Sequence, residues 1–146
     1  MRSLGLDIGE KRTGVAISDP QGRFALPLTV ISHSRQDAAL NDIVKLTRQY
    51  DIEQIIVGLP YSLNGSLGQQ AHKVKALAQR LSSLAGLNVE LWDERLSTVA
   101  AARLQTEAGV RKAKKKQHRD AIAAAIVLQG FLDSLDSQRS SEGDLS

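Results

Sequence analysis

The sequence predicts an α/β protein built on one five-stranded mixed sheet with helices on both faces. Three observations carry that reading. The N-terminal stretch to Ile31 holds three β-patterned runs joined by short turns. Beyond it, the apolar pattern alternates between helical periodicity and short runs of the kind found in buried strands. Strands separated by helices need crossovers and so add in parallel, whereas strands joined by short turns form an antiparallel meander.

The elements follow in order. Leu4, Leu6 and Ile8 alternate with Gly5, Asp7 and Gly9, a period of two that marks the first strand. Residues 13–18 (TGVAIS) form the second strand, with EKR between Gly9 and Gly14 as the hairpin turn. Residues 24–31 form the third, and Pro27 within it asks for an edge position or a bulge. Over 37–50, Leu40, Ile43, Val44 and Thr47 make one helical stripe. QIIVGL at 54–59, closed by Pro60, reads as a strand buried on both faces. SLNGS at 62–66 is a loop, and Ser66 with Gln69 makes a capping box for a helix carrying Val74, Leu77, Ala78 and Leu81, stopped by Gly86. NVELWDE at 88–94 is the fifth strand. A helix capped by Ser97 or Thr98 runs to about Ala108. Arg119 or Asp120 opens a last helix, AIAAAIVLQGFLDSL, apolar nearly all round and so deeply buried. The order is βββαβαβαα: one domain over 1–136 and a disordered polar tail over 137–146.

Composition narrows the function classes. With 42% hydrophobic and 24% charged residues, the chain has the balance of a water-soluble globule. No apolar run reaches the roughly 18–20 residues of a membrane span, and Asp7 interrupts the only apolar stretch that a signal peptide would need. The absence of cysteine excludes disulfides and thiolate-bound zinc and fits a cytoplasmic setting. Four of the 16 acids and one of the 19 bases lie in 133–146, leaving 18 bases against 12 acids in the body. Much of that excess sits in VRKAKKKQHR at 110–119, which reads either as a solvated loop or as a contact for a polyanion. Aromatics make up 3% of the chain, too few for a base-stacking platform, so recognition by shape and charge is expected.

An aspartate in the middle of an apolar strand needs compensation, because burying a lone carboxylate is costly. In parallel sheets, sites gather at the carboxyl ends of strands. Asp7 stands near one such end, Asp93 and Glu94 at another, and Asp120 at the start of the last helix. Brought together, these carboxylates would repel one another, a penalty that a divalent cation reverses. Oxygen ligands without cysteine or paired histidines indicate Mg²⁺ or Mn²⁺, and two such ions can clamp the attacking and leaving oxygens of a phosphodiester. The glycines flanking Asp7 would then leave room for a phosphate. The duller alternatives are a hydrogen-bonded Asp7 serving the turn, an Asp120 favoured only by its helix dipole, and a DE pair in which one member caps a helix or pairs with Arg95. His33, His72 and His118 lack ligand spacing; His118, in the basic run, is a candidate proton carrier.

Taken together, LGLDIGEKRTGVAISD, IIVGLPYSLNG, WDERLST and RDAIAAAIVL, in that order and at family spacing, resemble the YqgF proteins, over roughly residues 3–135. These form the RuvC-like branch of the ribonuclease H superfamily, described as Holliday-junction resolvases and pre-16S rRNA nucleases. The resemblance implies a ribonuclease H-like sheet and metal-dependent hydrolysis of a nucleic-acid backbone. It implies Asp7, Asp120 and the DER acids as catalytic residues, with Asp7, Glu94 and Asp120 as metal ligands and Glu94 preferred over Asp93. RuvC resolvases end their fourth strand with a glutamate; here that strand reads IIVGLP, which counts against a two-metal site and against junction resolution.

The expected activity is thus an endonuclease on structured RNA, maturing the 5′ end of pre-16S rRNA, with ribosomal precursor particles as expected partners. The expected phosphate-binding residues are Lys11, Arg12, Arg95, Arg111, Lys112, Lys114, Lys115, Lys116 and Arg119, in a monomer or weak homodimer. The competing readings are a resolvase of four-way DNA junctions, a non-catalytic RNA- or ribosome-binding module, and a phosphate binder of the actin and sugar-kinase type. The last needs two lobes, and 146 residues supply one.

Overall fold

The computed structural model describes residues 1–60, 68–96 and 113–144. Five strands form one sheet in the order β3-β2-β1-β4-β5: β1 Ser3–Ile8, β2 Arg12–Ser18, β3 Ala25–Ser32, β4 Gln54–Leu59 and β5 Asn88–Asp93. β1–β2 and β2–β3 pair antiparallel, and β1–β4 and β4–β5 pair parallel. This is the mixed sheet that short turns followed by crossovers require. β3 is an edge strand, and its pairing with β2 shifts so that Val15 faces Thr29 while Ala16 faces Pro27. Pro27, which has no N–H to donate, thus sits where an interrupted ladder tolerates it.

Among the described residues, three helices cover the sheet: α1 Ala39–Gln49, α2 Gln69–Ala85 and α3 Ala113–Asp144. α1 buries Leu40, Ile43, Val44 and Thr47, and α2 buries Val74, Leu77, Ala78 and Leu81, the stripes that the periodicity marks. Gly86 closes α2 in the left-handed region, φ 69°, returning its N–H to the Ser82 carbonyl. Both helices pack on one face, against Leu4, Leu6, Ile8, Val15, Ile55 and Val57. α3 crosses the other face, where Ala123, Ala124, Val127 and Leu128 meet Ala16 and Ile56.

Several expectations need correction. The β1–β2 turn closes through the Gly9 N–H on the Arg12 carbonyl at 2.9 Å, so Gly14 lies inside β2 and does not flank the turn. Glu94 leaves the strand and opens a 3-10 turn, Glu94–Leu96. α3 begins at Ala113, not near Arg119, which puts residues 113–118 of the basic run on a helix. Its backbone runs on to Asp144: once a helix is nucleated by a buried segment, each added residue gains a hydrogen bond. The capping box is also corrected: α2 takes Gly68 as its N-cap and Gln69 as its first residue, so Gln69 does not stand three places inside a helix capped by Ser66. The SLNGS loop, the helix expected over 97–108, Arg111 and Lys112 lie outside the described residues. Among the described residues, no helix is long and apolar enough to cross a membrane.

Candidate active site

The face of the sheet under α3 is built from small residues, and they decide how close the helix comes. A Cβ on Gly5 would stand 2.7 Å from the Leu128 Cβ, and one on Gly14 would overlap the Asp120 carbonyl. Gly5 therefore serves close packing of α3, and Gly9 the turn, where a Cβ would meet the Arg12 carbonyl at 2.7 Å. The expectation that these two glycines leave space for phosphate is overturned: helix and turn backbone fill that space.

Asp7 lies on this face, in register with Gly14 on β2. It is 6% exposed and belongs to the carboxyl end of β1. Because Gly14 lies directly beneath the first described buried turn of α3, Asp120 stands over the β2 side of Asp7. On the other side, β4 follows the pairing Leu6–Val57 into Gly58. A Cβ on Gly58 would stand 3.1 Å from Oε1 of Glu94 and 3.0 Å from Val127. Glu94, 7% exposed, thus reaches back over β4 towards β1, about one strand spacing of 5 Å from Asp7's own strand. Asp93 is opposite Leu59, whose side chain belongs to the α1–α2 core, while Trp92 packs under α3. Strand alternation therefore gives Asp93 the opposite face, and the 3-10 turn returns Glu94 to the face of Asp7.

Asp7, Glu94 and Asp120 share one face and one end of the sheet. They are not drawn into one ligand set. Among the described residues, no three His, Cys, Asp or Glu side chains stand together closely enough to hold a metal ion. One cause is visible at Asp120, whose Oδ2 accepts a hydrogen bond from Arg12 Nε at 2.8 Å, with both side chains about one-third exposed. In kind, the donors still fit a hard cation: carboxylate oxygens, two of them nearly buried, under a helix that limits water.

The basic residues divide by position. Lys11 and Arg12 line a depression of ≈ 460 Å³ with Ser32, His33 and Ser34. Lys114, Lys115, Lys116 and His118 lie on the first turns of α3 by backbone, and Arg95 lies in the 3-10 turn after β5. Arg119 buries Nε and one Nη, neither with a hydrogen-bond partner among the described residues. Buried guanidinium donors seek an acceptor, so Arg119 is half-built for an anion. Sequence reading missed the Arg12–Asp120 pair and the hydrogen bond between Thr13 Oγ1 and His33 Nε2 at 3.0 Å. It also missed Gly14 and Gly58, although glycine inside a strand is a signal of close backbone approach.

This fold is shared with Holliday junction resolvases. The structure superposes on "T. thermophilus RuvC in complex with Holliday junction substrate" with TM-score 0.60, covering 92% of this chain and 96% of that one at 15% identity. It superposes on the fowlpox virus Holliday junction resolvase with TM-score 0.53, over 92% and 99% of the two chains, also at 15% identity. The architecture is therefore that of a RuvC-like, ribonuclease H-type domain. More particularly, the family model described as "RuvX: Holliday junction resolvase" matches residues 1–134, and the chain belongs to that family. Curated relatives are similar along nearly their whole length. A protein of Moorella thermoacetica is 47% identical over 135 residues, 92% of this chain and 96% of its own. One of Bacillus thuringiensis is 46% identical over 136 residues, 92% and 99% of the two chains. Both carry the name "Putative pre-16S rRNA nuclease".

Proposed function

We propose that this protein is a cytoplasmic, metal-dependent endonuclease that cuts the phosphodiester backbone of structured RNA, in the 5′-end maturation of pre-16S rRNA. The observation that carries the reading is Asp7: a nearly buried carboxylate at the end of a central strand, with Glu94 and Asp120 approaching over its two neighbours. The names borne by relatives at 46–47% identity favour the RNA substrate. β4 ends in Leu59 with no acid, which supports RNA over the symmetric cutting of a DNA junction.

Asp7 and Glu94 would hold Mg²⁺ or Mn²⁺, with Asp120 as the third carboxylate. When bound, such an ion supplies Lewis-acid activation of water and neutralises charge on the phosphate. The chain itself contributes the rest. Gly14 and Gly58 let α3 and Glu94 approach and limit water around Asp7. Arg119, Lys11 and Arg12 are the donors nearest the carboxylates for phosphate oxygens, and Lys114, Lys115 and Lys116 add a longer-range attraction that salt should screen. On this reading the protein acts as a monomer or weak dimer.

Asp7→Asn is the decisive test. It keeps the size of the side chain and removes the charge. Cleavage of a pre-16S 5′-leader RNA in Mg²⁺ should fall by about 10²–10³-fold, the scale of losing one central electrostatic contact, with RNA binding in EDTA nearly unchanged. Unaltered cleavage would remove Asp7 from the site. A junction DNA cut faster than the leader RNA by the same preparation would favour the resolvase reading.

A further inference from the structure

Beside the carboxylates lies the depression lined by Lys11, Arg12, Ser32, His33 and Ser34. Two strand ends build it. Arg12 pairs with Ser32 across β2–β3, the His33 N–H donates to the Lys11 carbonyl at 2.9 Å, and Gln36 Nε2 donates to the Gly9 carbonyl at 3.2 Å. Its lining is two cations, two hydroxyls and an imidazole, without a carboxylate or an apolar side chain. That chemistry suits a small anion with several oxygens and offers no apolar surface to an aliphatic group.

Arg12 belongs to this depression and to the catalytic face at once. Its contact with Asp120 uses Nε alone, one of five guanidinium donors. A single-point pair, one-third exposed, is a weak hold. A phosphate can engage the planar fork with two oxygens, which is the stronger arrangement.

We propose that the depression is a binding subsite for a backbone phosphate of the strand being cut, and that its occupancy draws Arg12 off Asp120 and frees that carboxylate to complete the cation site. The proposal rests on the nuclease reading above. It makes Arg12 a positioning residue acting through Asp120, and it accounts for three carboxylates that share a face without forming a ligand set. Free enzyme would then bind the cation weakly, and substrate and cation would bind with positive coupling.

The test uses the full chain and two probes: Mn²⁺ alone, followed by electron paramagnetic resonance, and a short poly-uridine RNA in EDTA, followed by fluorescence anisotropy. Arg12→Gln should have effects of opposite sign. Mn²⁺ binding tightens by roughly two- to fivefold, the range an exposed ion pair contributes. RNA binding weakens, and the slope of log affinity against log salt falls by about 0.7, one phosphate contact on a single strand. Lys11→Gln should weaken RNA binding and leave Mn²⁺ affinity unchanged. In an Asp120→Asn background, Arg12→Gln should no longer alter Mn²⁺ affinity. If Arg12→Gln does not fold, Arg12→Met, which keeps the aliphatic stem, carries the same comparison.

The proposal is overturned by equal tightening in the Asp120→Asn background or by Lys11→Gln matching Arg12→Gln on Mn²⁺, since either reduces the effect to general charge removal. An unchanged RNA affinity and salt slope in Arg12→Gln overturns it as well. Asp7→Asn separates the two layers. Mn²⁺ binding that depends on Asp7 while Arg12→Gln is silent sinks only the exchange. Mn²⁺ binding absent from every form sinks the metal reading and the exchange with it.

Discussion

The two faces of the sheet are built for different ends. The face under α1 and α2 is aliphatic and full-sized: Leu4, Leu6, Leu40, Ile43, Ile55 and Leu81 are all 2% exposed or less. In the apolar cluster between the other face and α3, four of the eight described buried residues are alanine, and glycines 5, 14 and 58 lie beneath the helix and Glu94. Burial of large side chains dominates stability, at about 25 cal/mol per Å² of apolar surface, so the first face contributes most of it. The second face gives up side-chain volume for close approach of backbone. That closeness is what allows carboxylates from β1, the β5 exit and α3 to share one end of the sheet. The division explains why Asp7 alternates with leucines: one strand serves both purposes, odd residues one way and even residues the other.

If the division holds, changes on the two faces should separate. Leu81→Ala should have the largest effect on stability, about 2–5 kcal/mol by urea denaturation, because Leu81 is fully buried among full-sized neighbours. Mn²⁺ affinity of the folded fraction should not change; a parallel loss would show that the faces are coupled. Gly14→Ala comes next. Its methyl would overlap the Asp120 carbonyl, so α3 must shift. A loss of about 1–3 kcal/mol is expected for such overpacking, now accompanied by lost cleavage. A stability cost with full activity would place the carboxylate site elsewhere. Glu94→Gln against Asp93→Asn tests the alternation directly. The first should lower Mn²⁺ affinity by at least about 10- to 100-fold, and the second by less than about twofold, as expected of a group outside the site. The reverse order would return the ligand to Asp93.

Much of this was legible in the sequence, for reasons that can be named. Strand and helix periods are local, so β4 Gln54–Leu59 and the stripes of α1 and α2 could be read residue by residue. Pro27 marked the edge strand because the constraint is a missing N–H, a property of one residue. Asp7 could be nominated because a charge inside an apolar strand is anomalous, whereas Asp93, Glu94 and Asp120 are nominated by their places at a strand end and a helix start and by the family resemblance. What could not be read is relational. The role of Gly14 depends on a helix carbonyl 106 positions later in the chain, and the partner of Asp120 is Arg12, 108 positions away. Period-two alternation puts Asp93 and Glu94 on opposite faces, and the family resemblance leans to Glu94; which face each takes is set by the register of Asp93 with Leu59 and by the 3-10 turn at the exit of β5. The start of α3 was misplaced because AKKKQHR carries no apolar stripe, and helix propagation needs none once the buried part is anchored.

The smallest effect concerns the rim of the aliphatic face. Thr13 is fully buried there, paired with Ile8 and Ile31, and its hydroxyl meets His33 Nε2 at 3.0 Å. Burial holds the His33 pKa below its ordinary 6.5, with a smaller opposing contribution from the Arg35 backbone. The neutral ring is therefore favoured in the folded protein, and below pH 6.5 the unfolded chain takes up this proton more readily. Stability from this group is complete above the unfolded pKa and is lost as pH falls from 6.5 through the lower folded value. Urea midpoints measured between about pH 7.5 and pH 5.5, above the range of ordinary carboxylates, should fall for the native chain and fall less for His33→Gln. Because the contact lies on the stability-giving face, Asp7→Asn should leave that pH slope intact. An identical slope in His33→Gln would assign the dependence to another group, and a slope abolished by Asp7→Asn would mean that the two faces do not divide the work.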